Sequence, residues 1–168
     1  KSFHSDPNVW VGDSSGGFYI YGVAVPGLAS LNEGDAIDFQ VTEISNFFGR
    51  PQITGIAAAP TVVSTGNQVP VADGTALTSL DFSSTSQRGM PHEFYGLLVG
   101  DSGSDCGSNT CWNVQAPNGN THTLLLNDSF AGGNLVPGQD CLHIIAPVDH
   151  TWGDARYSSD DFDWIQFY

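Results

Sequence analysis

Residues 31–56 (LNEGDAIDFQVTEISNFFGRPQITGI) limit the fold of this chain more than any other stretch. They open on the turn signal at residues 32–35, in which glycine accepts positive φ and Asn or Asp hydrogen-bonds its own turn. Apolar and polar residues then alternate over residues 37–42, the period of a half-buried strand. The sequence FGRP at residues 48–51 interrupts this strand, and a second one follows at residues 52–56. The stretch therefore predicts a β-hairpin or a β-meander.

Strand and turn signals continue on both sides of this stretch. Before it, residues 9–11 and 18–21 are strand-like and flank the turn at residues 12–17. After it, further strands are expected at residues 61–63, 94–99, 112–115, 121–126, 142–145 and 164–168, with an acidic loop at residues 149–163. Many short strands separated by turns are typical of an all-β barrel or sandwich.

The strand and turn signals of the first half recur in the same order about a hundred residues later in the sequence. Trp10 and Gly34 in the first half correspond to Trp112 and Gly138 in the second half. The first interpretation is an internal duplication. The alternative is that any β protein shows similar strand–turn–strand patterns by chance. We predict two antiparallel β units packed as one body, with residues 1–78 as the first unit, a low-complexity link at residues 79–89, and residues 90–168 as the second unit.

The motifs of both halves resemble one protein family. In the first half they are residues 9–22 (VWVGDSSGGFYIYG), 31–41 and 48–54, and in the second half residues 94–98, 124–130 and 156–162. They are similar to the OB-fold-like accessory region of large secreted bacterial nucleases, in which a W-x-x-D-x-x-G-G-I-x-V strand pair precedes a G-D-x-V-x-V strand. The resemblance implies two OB-like or barrel-like units. It also implies a non-catalytic module, because this sequence lacks the nuclease domain of that family and its metal and histidine motifs.

Acidic residues dominate the charge of the chain. It carries 18 Asp and Glu against 4 Lys and Arg, which gives a formal net charge of −14. Nucleic-acid affinity comes chiefly from Lys and Arg contacts to phosphate, so the charge makes a nucleic-acid partner unlikely. Cations or a saline environment are favoured instead.

The hydropathy of the chain predicts no membrane-spanning segment, since no apolar run approaches the ~20 residues that a spanning helix needs. No basic-then-apolar leader is present at Lys1. We therefore expect a secreted protein, extracellular or on the cell surface, from which a leader has been removed.

The cysteines predict a disulfide. Cys106 and Cys111 bracket a Gly/Ser/Asn loop, and neither has the partner cysteines or histidines that a zinc site requires. A disulfide between them fits a secreted loop. Cys141 is then left over, and we interpret it as a small buried apolar residue, with an intermolecular bridge as the alternative.

Two acidic clusters are candidates for a Ca²⁺ site. Asp101 and Asp105 place alternating oxygen ligands on a polar loop, and Asp160, Asp161 and Asp163 form a second cluster. Hard cations prefer such oxygen ligands, whereas the alternative is that both clusters are solvated acidic loops. The five histidines lack metal-binding spacing, and no G-x-S-x-G motif is present. No catalytic residues are therefore predicted.

Aromatic residues fall into two groups. Those of the first half are interpreted as core residues, because Arg50 is the only cation near them that could help to bind a nucleic-acid strand; they are Trp10, Phe18, Tyr19, Tyr21, Phe47 and Phe48. The second group lies in the last five residues of the sequence: Trp164, Ile165, Phe167 and Tyr168. A strand this apolar is expected either to pair inside the fold or to join the sheet edge of a neighbouring copy.

These features favour a non-enzymatic extracellular structural subunit that self-associates into a surface layer or filament, as a homo-oligomer or polymer. Lysine, the residue that most often protects sheet edges from pairing, occurs only at position 1. The alternative is an OB-like accessory module that binds nucleic acid or polysaccharide. A hydrolase is the least favoured hypothesis.

Overall fold

The computed structural model describes residues 8–22, 25–101, 110–126, 135–151, 154–159 and 165–167. These residues confirm the predicted all-β fold, with a short 3₁₀ turn at Leu28–Ser30. The strands are β1 (Val9–Asp13), β2 (Gly16–Ile20), β3 (Ala36–Asp38), β4 (Val41–Phe47), β5 (Arg50–Ile56), β6 (Thr61–Ser64), β7 (Ala72–Asp73), β8 (Pro91–Asp101), β9 (Thr110–Gln115), β10 (Thr121–Leu126), β11 (Cys141–Thr151), β12 (Asp154–Ser159) and β13 (Ile165–Phe167).

A four-stranded sheet in the order β1-β2-β5-β4 forms most of the first unit. It consists of two hairpins, β1–β2 and β4–β5, which meet through a short parallel pairing of β2 with β5. The β4–β5 hairpin turns at Phe48 and Gly49, whose φ angles of 47° and 100° fit the type I′ turn that suits a two-residue hairpin loop. Strands β1 and β4 lie at the two edges of this sheet.

The predicted strand at residues 37–42 is divided in the structure. Its first part, β3, pairs with β6 in a separate two-stranded sheet, whereas Val41 begins β4. Ile37 and Phe39 pack against the core of the first unit, but Val41 is exposed. The apolar–polar alternation over residues 37–42 therefore predicts burial correctly for Ile37 and Phe39 but not for Val41. The reason is that the chain passes from one sheet to another after Phe39.

The second unit is built from five strands, β8 to β12, each of which pairs with two others. Strands β8, β9 and β10 form an antiparallel meander, and β11 returns to lie beside β8, which gives the spatial order of a Greek key. Strand β12 then pairs parallel with β10 and antiparallel with β11. Five strands with Greek-key connectivity also occur in OB-like units, and the OB-like identity of this half of the chain stays a prediction.

Each unit has its own apolar core. The first is made by Ile20, Val25, Leu28, Leu31, Ile53 and Ile56. The second is larger and is made by Phe94, Leu98, Val114, Ala116, Leu124, Leu142, Ile144, Ala146 and Val148. Leu77, Leu80 and Phe82 pack against this second core. The boundaries at residues 1–78, 79–89 and 90–168 stay predictions.

The acidic loop expected at residues 149–163 is wrong for most of its length. Strand β11 continues to Thr151, and residues 154–159 form β12. The backbone of β12 pairs with both β10 and β11, and these ladders outweigh the turn-like composition of the segment. The acidic residues Asp160, Asp161 and Asp163 lie outside the described residues.

The two units meet through direct backbone contacts. The Gly17 N–H donates to the Arg88 carbonyl at 2.7 Å, and the Gly89 N–H donates to the Val148 carbonyl at 2.8 Å. A Cβ atom added to Gly17 would lie 2.5 Å from the Gly89 carbonyl oxygen. Gly17 therefore allows an approach of the two backbones that a side chain would prevent.

Candidate functional site

Few of the residues predicted to form sites fall in the described part of the chain. Asp101 ends β8 and is exposed, and its carbonyl accepts a hydrogen bond from Asn113. Its predicted partner Asp105 lies outside the described residues. Within the described ranges no group of three or more His, Cys, Asp or Glu residues is placed to hold a metal ion. The Ca²⁺ site stays a prediction.

The cysteines are only partly described. Cys111 is buried in β9 and disulfide-bonded, while its predicted partner Cys106 lies outside the described residues. Cys141 is a free and exposed thiol, so the interpretation that it is a buried apolar residue is wrong. It begins β11, where its neighbour Leu142 occupies the buried face instead.

The predicted terminal strand is present as β13. It pairs antiparallel with β11 of the same chain, with Leu142 opposite Phe167 and Ile144 opposite Ile165. Of the two alternatives for this strand, pairing inside the fold is therefore the arrangement seen in the single chain. Trp164 and Tyr168 lie outside the described residues.

The edge strand β1 has backbone groups that point away from its partner strand β2. In an antiparallel pair, residues alternate between those that exchange hydrogen bonds with the partner strand and those whose N–H and C=O point away. Asp13 and Gly16 close the two-residue turn, so Val9, Val11 and Asp13 bond to β2. The backbone groups of Trp10 and Gly12 point away from the sheet, and neither has a backbone partner among the described residues.

A cleft of about 590 Å³ follows this edge, and we call it the β1 cleft. It is lined by the whole of β1, by Phe18, Tyr19 and Ile53 of the neighbouring strands, and by two walls. The first wall is the segment around the turn at residues 32–35, together with residues 67–70, and the second wall is formed by Met90, Pro91 and Pro147 of the second unit. Trp10 lies at the edge itself, 5.2 Å from Tyr19 in an edge-to-face contact.

The first wall is held in place by hydrogen bonds and is acidic. Asn67 donates through its backbone N–H and its side-chain amide to the Gly34 carbonyl, at 2.9 and 2.8 Å. The Asp35 carboxylate accepts from the Asn32 N–H at 2.7 Å. Glu33 and Asp35 thus face the β1 cleft from a fixed turn.

Asp13 adds a third carboxylate at the turn of the β1–β2 hairpin. Its Oδ1 accepts hydrogen bonds from the Ser15 hydroxyl and N–H, at 2.6 and 2.7 Å. These bonds stabilise the ionised form and lower the pKa of Asp13. Asp13 therefore keeps its negative charge at mildly acidic pH.

The β4 edge is of the opposite kind, because the described part of the chain leaves it exposed. Almost every residue of β4 is exposed on both faces of the sheet, including Ile44 at 58%. Phe47 pairs with Arg50 next to the two-residue turn, so alternation places the backbone groups of Ile44 and Asn46 on the outer side. The two hairpins thus leave two differently surrounded edges on one sheet.

The aromatic residues predicted to be core are only partly so. Tyr19 is buried, and Phe18 packs against the first core. The prediction is wrong for Tyr21, Phe47 and Phe48, whose side chains are exposed. These three lie at or beyond the ends of their strands, where the chain turns away from the core.

Arg50 connects the first sheet to the second unit. Its guanidinium lies over the Tyr19 ring at 3.9 Å and over the Phe47 ring at 5.6 Å. Its Nη1 donates to the buried Asp149 carboxylate at 2.9 Å. The sequence analysis missed this buried pair, although an acidic residue directly after the apolar run at residues 144–148 was a signal for it.

The histidines of the second unit serve packing. His122 is buried with its ring edge-on to Phe94, and His92 Nδ1 donates to the Met90 carbonyl at 2.8 Å. Burial lowers the pKa of both rings. His143 is half-buried, stacks on Tyr95 and contacts Glu93 at 2.6 Å.

Comparison of the chain with protein-family models, with curated proteins and with solved structures finds no match. In the described part of the chain, no helix has the length and hydropathy needed to cross a membrane.

Proposed function

We propose that this protein is a non-enzymatic extracellular subunit that self-associates, and that copies meet along the β4 edge and the tip of the β4–β5 hairpin. The observation that carries the proposal is the conformation of Phe48. This residue is 61% exposed and has a φ of 47°. A left-handed conformation costs an ordinary residue about 1–2 kcal/mol, and Asn is preferred at this position of a type I′ turn. The Phe48 ring contacts Phe47 edge-on at 4.8 Å, yet most of its side chain stays exposed, which supports a role for Phe48 at a contact with another molecule.

The charge distribution supports a second copy as that other molecule. Glu43 is the only charged residue from position 41 to position 49, in a chain with a net charge of −14. Two copies therefore repel each other least where the β4 edges meet. Salt shortens the range of the remaining repulsion to about 8 Å at physiological ionic strength, and a divalent cation would reduce it further. This is the role we assign to Ca²⁺.

The backbone supplies the pairing. The outward N–H and C=O groups of Ile44 and Asn46 are those that a second β4 strand would bond, which would extend the sheet across two copies. A surface layer or filament needs a further contact on each copy. The terminal strand β13, with Trp164 and Tyr168 beside it, stays the predicted place for it.

Two further features agree with this function. Cys111 is disulfide-bonded, which is typical of proteins in oxidising, extracellular compartments. Buried Arg50 and half-buried Arg88 both lie over aromatic rings, at 3.9 Å from Tyr19 and 5.0 Å from Phe18. Their engagement argues against a nucleic-acid partner, which would need them at the surface.

Sedimentation velocity over a range of concentrations, with and without millimolar Ca²⁺, tests the proposal. We expect wild-type protein to form dimers or larger species, more so with Ca²⁺, and EDTA to reverse the effect of Ca²⁺. Phe48→Asn places the preferred Asn-Gly pair in the turn, so it should raise the free energy of unfolding by about 1 kcal/mol while weakening association. Val63→Asn changes another exposed apolar residue, away from β4, and should leave association intact.

Two results would contradict the proposal. One is wild-type protein that sediments as a monomer at high concentration in the presence of Ca²⁺. The other is Phe48→Asn protein that folds and still associates as strongly as the wild type.

A further inference from the structure

We infer that the β1 cleft accepts an extended peptide that carries lysine or arginine, and that this peptide adds to the first sheet as a new strand beside β1. This inference is independent of the proposed function, which uses the opposite edge of the sheet. It rests on the backbone groups, the two walls and the charge of the cleft.

The backbone groups fix the mode of binding. Trp10 and Gly12 line the cleft, and their N–H and C=O groups point away from β2, so they can bond an added strand. Such strand addition gains affinity from main-chain hydrogen bonds and specificity from pockets for alternate side chains. The cleft follows all five residues of β1, which is about 17 Å of strand at ~3.4 Å per residue.

The two walls receive the side chains of the peptide. Successive side chains of a strand point to opposite faces of the sheet, so those of the peptide would alternate between the walls. The second wall is apolar, with Met90, Pro91 and Pro147, and suits aliphatic side chains. The first wall carries Glu33 and Asp35, and Asp13 lies at the turn end of the strand. A peptide in which cationic and apolar residues alternate fits both walls.

The charge of the cleft identifies the class of partner. Its lining includes three carboxylates, and no Lys, Arg or His occurs among the described residues that line it. An acidic cleft attracts a cationic peptide and repels an acidic one. A second copy of this chain has a net charge of −14 and is therefore a poor occupant. In the described part of the chain, β4 is exposed and carries one charged residue, Glu43, so it gives less reason to prefer a cationic strand.

Three blocked ten-residue peptides labelled with fluorescein test the inference by anisotropy at 0.15 M NaCl. The first alternates lysine and valine. The second replaces lysine with glutamate. The third keeps the lysine–valine sequence but methylates alternate backbone nitrogens, which removes strand pairing and retains the charge. We expect the first peptide to bind tightly, the third at least about tenfold more weakly, and the second not to bind.

Two substitutions at one position separate backbone pairing from packing. Gly12→Pro removes the outward N–H without removing a hydrogen bond to β2, a position where edge strands tolerate proline. It should raise the Kd for the lysine–valine peptide about tenfold. Gly12→Ala keeps the N–H, and its Cβ would lie an ordinary 3.4 Å from Met90 Sδ, so it should change the Kd less than about threefold. If Gly12→Pro does not fold, Glu33→Lys takes its place, and reversing this exposed charge should also weaken binding.

Amide chemical shifts locate the site. The lysine–valine peptide should shift the NMR signals of Trp10 and Gly12 and leave those of Ile44 and Asn46 unchanged. The inference is overturned if the peptide does not bind, if the methylated peptide binds equally well, or if the shifts occur at β4. It is also overturned if a folded Gly12→Pro variant, or Glu33→Lys, binds like the wild type.

Discussion

The two free edges of the first sheet offer similar backbone chemistry in different surroundings. At the β1 edge, Trp10 and Gly12 line an acidic cleft, and their N–H and C=O groups point away from β2. At the β4 edge, Ile44 and Asn46 present theirs from a strand exposed on both faces and almost free of charge. The difference lies in what surrounds each strand. A sheet edge alone favours any extended partner, and the walls beside it select which partner can bind.

The surroundings differ because the two hairpins lie differently against the second unit. The β1 edge borders Met90, Pro91 and Pro147, which supply a wall, whereas none of the residues of β4 lines this cleft. The packing between the units thus determines whether an edge lies in a cleft or remains open. The following substitutions act on that packing and should affect the two edges unequally.

The largest effect is expected from the buried ion pair between Arg50 and Asp149. Arg50→Met removes one partner of a buried ion pair, which should lower the free energy of unfolding by about 3–5 kcal/mol. The double variant Arg50→Met/Asp149→Leu removes both charges and should lose clearly less. Urea denaturation of the three proteins measures the difference. Equal losses in the single and double variants would show that the ion pair itself contributes little.

A smaller effect is expected at Gly17. Gly17→Ala forces a Cβ against the Gly89 carbonyl, which should cost about 1–3 kcal/mol and loosen the second wall of the β1 cleft. Gly12 lies directly opposite Gly17 in the hairpin, and Gly12→Ala has room for the added methyl group. Thermal unfolding should therefore separate these two substitutions. A Gly17→Ala protein as stable as Gly12→Ala would mean that the backbone contact between the units is not tight.

The smallest effect is expected from pH. Burial lowers the pKa of His92 and His122 below the ordinary value of 6.5, so the unfolded chain takes up protons first as the pH falls. The free energy of unfolding should therefore decrease, by on the order of 1 kcal/mol, as the pH drops from about 7.5 to about 5.5. His92→Gln keeps an N–H donor for the Met90 carbonyl but does not titrate in this range.

Urea denaturation of wild type and His92→Gln at the two pH values measures this effect. The variant should lose less stability on acidification than the wild type. Because His92 contacts Met90 in the second wall, acidification should shift the NMR signals around Met90 before those of β4. An unchanged pH dependence in His92→Gln would assign the effect to other groups.

The sequence predicts local structure better than it predicts strand neighbours. The type I′ turn at Phe48 and Gly49 lies where the FGRP signal indicates a break, and β10 has the predicted bounds. Gly34 and Gly138 both adopt left-handed conformations before strands, with φ of 83° and 79°. This agrees with the correspondence between these two glycines in the sequence. Such features depend on residues close together in the chain.

Strand order and the exposure of edges depend on residues far apart. Nothing in the sequence near Ala36–Asp38 shows that β3 pairs with β6, or that β4 is left at an edge. The β1 cleft could not be predicted from the sequence either. Its second wall is formed by Met90, Pro91 and Pro147, which lie more than seventy residues after β1. The acidic loop predicted after Asp149 failed for the same reason, since β12 is specified by pairing with β10 and β11.

The pair of Arg50 with Asp149 also has a consequence for synthesis of the chain. The two residues are separated by 99 positions. At about 5–20 residues per second, the ribosome needs about 5–20 s to reach Asp149 after it has added Arg50. During that interval Arg50, which is buried in the folded protein, has no Asp149 carboxylate to pair with. Strands β1 and β4 also remain at the open edges of the nascent first sheet. A chaperone or translocation partner that covers the nascent sheet would be most useful in this interval, before the second unit emerges.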